Sequence, residues 1–151
     1  MVIQSTRLGE LSVPKDLVFQ FPNGLPGFND EHTFALVPHG SNSPFSFLQS
    51  ANDPDLTFLV VDPFAFFSDY EFELKEDLEQ ELQVKDGSQI KVYSIVTVKD
   101  KVEEMTANLI APLIVNTETK NARQVVLEGV KYTTRHRLFP EGIPSADGRE
   151  K

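Results

Sequence analysis

Short stretches of alternating apolar and polar residues, separated by clusters of turn-forming residues, make up most of this chain. Leu17, Phe19 and Phe21 alternate along one extended segment, which places their side chains on the same face of a strand. The separators at 38–42, 52–55, 86–87 and 116–121 are rich in Gly, Pro, Asn, Asp and Ser. This spacing predicts a mainly β fold, a small antiparallel β-barrel-like single domain. Further strands are predicted at 33–37, 45–49, 56–61, 70–74, 90–98, 109–115 and 123–130.

One segment has the periodicity of a helix instead of a strand. Leu74, Leu78 and Leu82 recur every four residues, acidic residues lie near the start of the segment, and Lys85 lies near its end. Asp86 and Gly87 stop the pattern. We therefore expect one helix of two to three turns here, in a fold with one or two short helices.

Two proline-containing segments predict local irregularities. The segment 21–28 reads FPNGLPGF, and its glycines and prolines dictate a sharp turn from which Phe21 and Phe28 are expected to fold inward. Pro112 lies inside the apolar run 109–115. Because proline cannot donate a hydrogen bond to a ladder, that strand is expected at a sheet edge or with a bulge at Pro112.

The composition indicates one soluble, cytoplasmic domain. The 151 residues are enough for a core of their own, and the chain contains no cysteine. No run approaches the roughly 20 apolar residues of a membrane span, and the first residues do not resemble a signal peptide, so no membrane association is expected. We assign 1–139 to the domain. The tail 140–151, which has little to bury, is predicted to be disordered.

The net charge of −9 limits the partners that the chain can bind. Binding to nucleic acid draws its affinity from lysine and arginine on phosphates, so direct binding to RNA or DNA is not expected. A basic protein, in contrast, would be attracted to this surface. A monomer is expected in the absence of partners.

The sequence gives no support for catalysis, a cofactor or a metal site. His32, His39 and His136 are far apart and occur in no zinc-binding spacing. No nucleophile elbow, phosphate-binding loop or dinucleotide-binding turn is present. We therefore predict a protein that is not an enzyme, with no catalytic, cofactor-binding or metal-binding residues.

The segment 64–86 is the strongest candidate for a protein-binding surface. Its residues 69–86 contain eight acids and two lysines, an excess of six negative charges. The simpler interpretation is a solvated helix face beside the outer face of a strand, and the functional one is a docking surface for a basic protein. Five aromatic residues between 64 and 72 are more than one strand can bury, so some are expected to be exposed. The predicted contact residues are Phe64, Phe66, Phe67, Tyr70, Glu71 and Glu73.

Several motifs, taken in chain order, make the chain resemble the FliW family of bacterial flagellar assembly factors. The two most specific are the turn GLPGF at 24–28 and the block IAPLIVN at 110–116. The resemblance covers residues 1 to 138. The remaining motifs are PF at 44–45, FLQS at 47–50, VDP at 61–63, DY at 69–70, RQVVL at 123–127 and RH at 135–136.

The resemblance implies a β-barrel-like protein without enzymatic activity that binds the carbon storage regulator CsrA, an RNA-binding protein. Such a protein antagonises the repression of flagellin translation by CsrA through an allosteric effect. Flagellin is the competing partner: when it accumulates, it captures the FliW protein and releases CsrA. The alternative is a chaperone-like protein that binds flagellin and does not antagonise CsrA.

Overall fold

A ladder of antiparallel strands runs through most of the chain in the computed structural model, which describes residues 1–25, 27–40 and 42–140. One α-helix, α1 (Glu76–Glu81), is present in the described residues, together with short 3-10 turns at Lys15–Leu17, Pro63–Ala65, Gly87–Gln89 and Val102–Glu104. The strands are β1 (Val2–Ser5), β2 (Gly9–Ser12), β3 (Val18–Gln20), β4 (Thr33–Pro38), β5 (Phe45–Ser50), β6 (Thr57–Val61), β7 (Ile90–Thr97), β8 (Thr106–Ala107), β9 (Leu113–Asn116), β10 (Ala122–Gln124) and β11 (His136–Arg137).

The main sheet has the strand order β10-β9-β7-β6-β5-β4-β3, and every pairing in it is antiparallel. β8 pairs with the second half of β7 and with β11, while β1 and β2 form a separate hairpin. The sheet curls until its two end strands meet at one parallel bridge between Gln20 and Asn121. The Gln20 amide donates to the Lys120 carbonyl there at 2.8 Å. The predicted mainly β, barrel-like fold is confirmed.

The interior of the curled sheet is filled by the alternating residues that predicted the strands. Phe34 is fully buried and meets Phe21 edge-on, with the ring centroids 5.4 Å apart. In the β4–β5 register Leu36 lies opposite Leu48, and in the β5–β6 register Leu48 lies opposite Phe58. Side chains on one face of adjacent strands therefore stack into a continuous core. Its buried members are Phe19, Phe21, Leu25, Phe34, Leu36, Leu48, Val60, Leu113, Val115 and Ala122.

The turn after β3 requires glycine at one position. Gly24 has a φ of +65°, and a Cβ added to it would lie 2.7 Å from the carbonyl oxygens of Phe28 and Asn29. No other residue fits without a shift of the backbone. Phe21 folds into the core as predicted, whereas Phe28 remains 40% exposed and touches Phe58 edge-on. The inward position predicted for Phe28 is therefore wrong.

The predicted strand at 70–74 is also wrong, because this segment pairs with no strand in the described part of the chain. Its backbone is bound to a side chain instead: the Glu71 amide donates to the Tyr132 hydroxyl at 3.0 Å. The Tyr70 hydroxyl donates to the Leu109 carbonyl at 2.7 Å. These side-chain contacts hold the segment extended in place of a strand partner.

The helix is shorter than predicted, and β9 and β10 are shorter than predicted by several residues each. α1 has six residues, less than two turns. β9 is not an edge strand, since it lies between β7 and β10, and it accommodates Pro112 by beginning at the next residue. β10 ends at Gln124 instead of continuing to 130. Val125 still donates to the Pro112 carbonyl at 2.9 Å, but Pro112 has no amide to donate in return, so the regular ladder stops.

No helix in the described part of the chain is long and apolar enough to cross a membrane. The tail predicted to be disordered, 140–151, lies outside the described residues except for Pro140.

Candidate protein-binding surface

The connection between β6 and β7, residues 62–89, carries all six predicted contact residues. It begins with the 3-10 turn Pro63–Ala65, which is capped by Asp62: its Oδ1 accepts from the Phe64 amide at 3.0 Å. Pro63 is buried, and Phe64 next to it is 46% exposed. The capped turn therefore presents one phenylalanine to solvent from a fixed backbone.

Tyr70 anchors the connection to the body of the protein. Its ring lies 5.6 Å from Phe64, 5.4 Å from Phe72 and 4.7 Å from Tyr132, measured between centroids. Burial, and to a smaller extent Tyr132, raises the pKa of the Tyr70 phenol, which therefore remains a neutral donor to the Leu109 carbonyl. Tyr70 is only 4% exposed, so the exposure expected of it as a contact residue is wrong. It supports Phe64 from below.

Phe66 and Phe67 are half-buried, in contrast to Phe64. The Phe66 ring lies between Phe45 at 5.7 Å and Phe139 at 5.6 Å. Phe67 meets the His136 ring at 5.9 Å. These two phenylalanines attach the connection to the last described part of the chain and leave Phe64 as the most exposed of the predicted aromatic contacts.

Two grooves, each of about 470 Å³, meet at Phe64, and both are also lined by Ile90 and Val92 of β7. The first, the β4-side groove, continues past Pro38, Pro44 and Tyr93. Burial, with a smaller effect of the Asp62 carboxylate, raises the pKa of the Tyr93 phenol and keeps it neutral. The second, the helix-side groove, has an apolar floor and charges at its rim. The charged residues that line it are Glu71, Glu79, Lys85 and Asp86.

The acidic helix α1 forms one side of the helix-side groove and is fixed from below. Leu78 and Leu82 are buried against Ile114 of β9. The Asn116 side chain, fully buried, donates to the Leu82 carbonyl at 2.8 Å and accepts the amides of Glu118 and Thr119. The end of the helix is thus tied to the end of β9.

Most of the acids in 69–86 face solvent. Glu71, Glu73 and Glu79 are exposed and form no ion pair among the described residues, whereas Glu81 pairs with Arg123. The surface therefore keeps most of its negative charge available to a partner. Both interpretations of this acidic segment, the solvated face and the docking surface, are compatible with the exposure.

The described residues contain no group of three or more His, Asp or Glu side chains placed to hold a metal ion. His32 and His39 are exposed, and His136 packs between Phe67 and Tyr132.

Sequence reasoning missed the residues that hold this surface in place, above all Tyr132 and Asn116. They lie 62 and 46 positions after Tyr70 in the chain, so only the fold brings them close to the connection. A polar residue directly after the apolar run 109–115 was the available signal for Asn116. Ile90 and Val92, which line both grooves, were predicted to lie in a strand but not to form part of a site.

The fold and this surface together define the class of protein: it is a mainly β, barrel-like domain with an acidic surface that carries two grooves. The model of the family described as "FliW protein" matches residues 2–138, and the chain belongs to this family.

Similar proteins align with this chain over nearly its full length. The Flagellar assembly factor FliW of Desulfitobacterium hafniense (strain DSM 10664 / DCB-2) is 46% identical over 93% of both chains. That of Moorella thermoacetica (strain ATCC 39073 / JCM 9320) is 42% identical over 99% of both. A crystal structure of the flagellar assembly factor FliW superposes with a TM-score of 0.84 at 34% identity, over 95% of this chain and 100% of the other.

Proposed function

We propose that this protein is a flagellar assembly factor that works in the cytoplasm, without enzymatic activity, by binding two proteins in turn. Bound to CsrA, it relieves the repression of flagellin translation; bound to flagellin, it releases CsrA. Membership of the FliW family over residues 2–138 and the names of its relatives support the role in flagellar assembly. The two partners, CsrA and flagellin, are proposed because the sequence resembles the FliW family.

The observation that carries the proposal is the exposed Phe64 between two grooves, close to Glu71 and Glu79, which form no ion pair among the residues that the structure describes. An exposed aromatic side chain with an apolar surround is typical of the residues that dominate protein–protein binding. The negative charge favours a basic protein partner, and an RNA-binding protein such as CsrA carries lysine and arginine for its phosphate contacts. The protein itself is suited to bind the RNA-binding protein and not the RNA.

The acids also have a proposed part in the antagonism of CsrA. Held beside CsrA, Glu71, Glu73 and Glu79 would repel the phosphates of an incoming message and add to an allosteric effect. Glu81 is expected to contribute less, because Arg123 compensates its charge. A variant with Glu71, Glu73 and Glu79 changed to Gln should release less RNA from CsrA at saturating protein than the control Glu81→Gln.

The direct test is a titration of purified components, followed by size-exclusion chromatography with light scattering. The protein, a monomer when free, is mixed with CsrA, and flagellin is then added. A complex with CsrA that flagellin dissolves supports the partner switch. Binding to neither protein would contradict the proposal.

The second candidate, a chaperone-like protein that binds flagellin alone, is favoured by the apolar floors of the two grooves. Such binding would rest on apolar contact and would change little with salt. Binding to flagellin at low and high salt, with no complex with CsrA at either, would favour this candidate over the partner switch.

A further inference from the structure

We propose that the helix-side groove binds a segment of a basic protein, with an apolar side chain of that segment against Phe64 and a lysine or arginine beside it at the acidic rim. This inference rests on the proposed function, since it assumes that the protein acts by binding other proteins. Beyond the proposed function, it specifies where the partner makes contact and which side chains the bound segment carries.

The floor of the helix-side groove is fixed before any partner arrives. Ile90 and Val92 belong to β7, and they pack with Leu74 and Val84 against the buried Leu78, Leu82 and Ile114. Phe72 is held by the Tyr70 ring at 5.4 Å. Because this apolar surface is already ordered, binding does not lose the free energy that ordering it would require. Contact with this floor should therefore contribute more to affinity than contact with a flexible surface.

Phe64 is the residue best placed to anchor a partner in this groove. It is 46% exposed, on a turn whose backbone is held by the Asp62 cap, and its ring leans on Tyr70. Its aromatic surface is therefore available, and the ring is positioned by its surroundings. Covering it would remove apolar area from water at the point where both grooves meet.

The charges at the rim decide the kind of segment that fits. Three acids and one lysine line the groove, and Glu71 and Glu79 form no ion pair in the part of the chain that the structure describes. A lysine or arginine of the partner would gain a charge-assisted contact there. A second copy of this chain, with a net charge of −9, would be repelled, and so would RNA.

The test compares two groove variants with two matched controls, using purified CsrA as the first probe and purified flagellin as the second. Phe64→Ala removes the anchor, and its control is Phe28→Ala, which removes a phenylalanine of similar exposure on the GLPGF turn. The double variant Glu71→Gln and Glu79→Gln removes the rim charge. Its control is Glu104→Gln with Glu118→Gln, which changes the net charge equally at exposed positions outside the groove. Affinities are measured at low and high salt.

The inference predicts that Phe64→Ala weakens binding of the basic partner by about tenfold or more, as expected for a central aromatic contact. The rim variant should weaken binding about three- to tenfold at low salt, and less at high salt, because ions screen exposed charges. Both controls should remain within about twofold of wild type.

Three results would overturn the inference while the proposed function stands. The first is wild-type binding to CsrA that none of the groove variants weakens. The second is an equal loss in the groove variants and their controls. The third is a loss confined to flagellin with no dependence on salt, which would assign the groove to an apolar partner segment. If wild-type protein binds neither probe, the proposed function itself fails.

Discussion

The β4–β5–β6 ladder and the connection 62–89 are held in place by different means. In the ladder, residues 46–49 of β5 are paired with a neighbouring strand on both sides, and alternate side chains such as Phe34, Leu36 and Leu48 enter the core. The connection contains one six-residue helix and is attached by individual side chains, chiefly Tyr70 and the distant Tyr132 and Asn116.

Because of this difference, the ladder mainly supports the stability of the fold, and the connection is the region proposed to bind partners. The ladder buries its apolar surface and leaves little of it for a partner. The connection leaves Phe64 and the two grooves exposed, while its anchors keep them in position. Binding residues on an irregular segment, positioned by a rigid sheet, are a common arrangement in proteins. Substitutions in the ladder and in the connection should therefore have separate effects.

The largest effect is expected in the ladder, from Phe34→Ala. The fully buried ring contacts Phe21 and Phe58, so its removal leaves a cavity in the main core. The free energy of unfolding should fall by about 3–5 kcal/mol. Urea unfolding measures this, and the control Phe64→Ala should lose far less, because that ring is half exposed.

Asn116→Ala should destabilise the connection more than the ladder. It leaves the Leu82 carbonyl and the amides of Glu118 and Thr119 without their partner, at a cost of about 2–3 kcal/mol. Hydrogen exchange should accelerate in α1 before it does in β5. The control Asn52→Ala changes an exposed asparagine, and uniform acceleration across both regions in Asn116→Ala would contradict a local role.

Tyr70→Phe removes a single hydroxyl from the anchor and keeps the ring. The Leu109 carbonyl loses its bond from Tyr70, and stability should fall by about 1–2 kcal/mol. The matched control is Tyr132→Phe, which removes the acceptor of the more exposed Glu71 amide and should cost less. Thermal unfolding compares the two, and an equal loss would show that burial of the hydroxyl does not matter.

The smallest effect concerns pH. Burial lowers the pKa of His136 below its ordinary value of 6.5, and the Thr133 amide donates to Nε2 of the neutral ring at 2.9 Å. As the pH falls, the unfolded chain therefore takes up the proton before the folded protein does. The contribution of neutral His136 to the free energy of unfolding is present above about pH 6.5 and is lost as the pH falls below that value. His136→Gln should flatten the decline of the melting temperature between about pH 7 and 5.5, and an unchanged slope in this variant would contradict the prediction.

The ladder could be predicted from the sequence because its information is local. Thr33–Pro38 and Phe45–Ser50 each extend only one residue beyond the predicted strand. Alternation of apolar residues was sufficient there, since the same residues that define the pattern fill the core. Gly24 is a further local case, because its φ and close contacts follow from the turn itself.

The connection could not be predicted in the same way. The alternation of Tyr70, Phe72 and Leu74 has the period of a strand, yet none of the described strands pairs with the segment, and Tyr132 binds its backbone instead. The acidic charge could be predicted from the sequence, and so could the exposure of some of the five aromatic residues, but not that Phe64 is the most exposed of them. The grooves could not be predicted, because they depend on the position of β7 beneath residues distant in the chain.

The most direct test of the central claim, that partners bind at the connection 62–89, is hydrogen exchange of the protein alone and in complex with CsrA. We expect slower exchange on binding in peptides that cover 64–74 and 76–86, with β4 and β5 unchanged. Protection confined to the β1–β2 hairpin or to the β4–β5 ladder, with the connection unchanged, would contradict it.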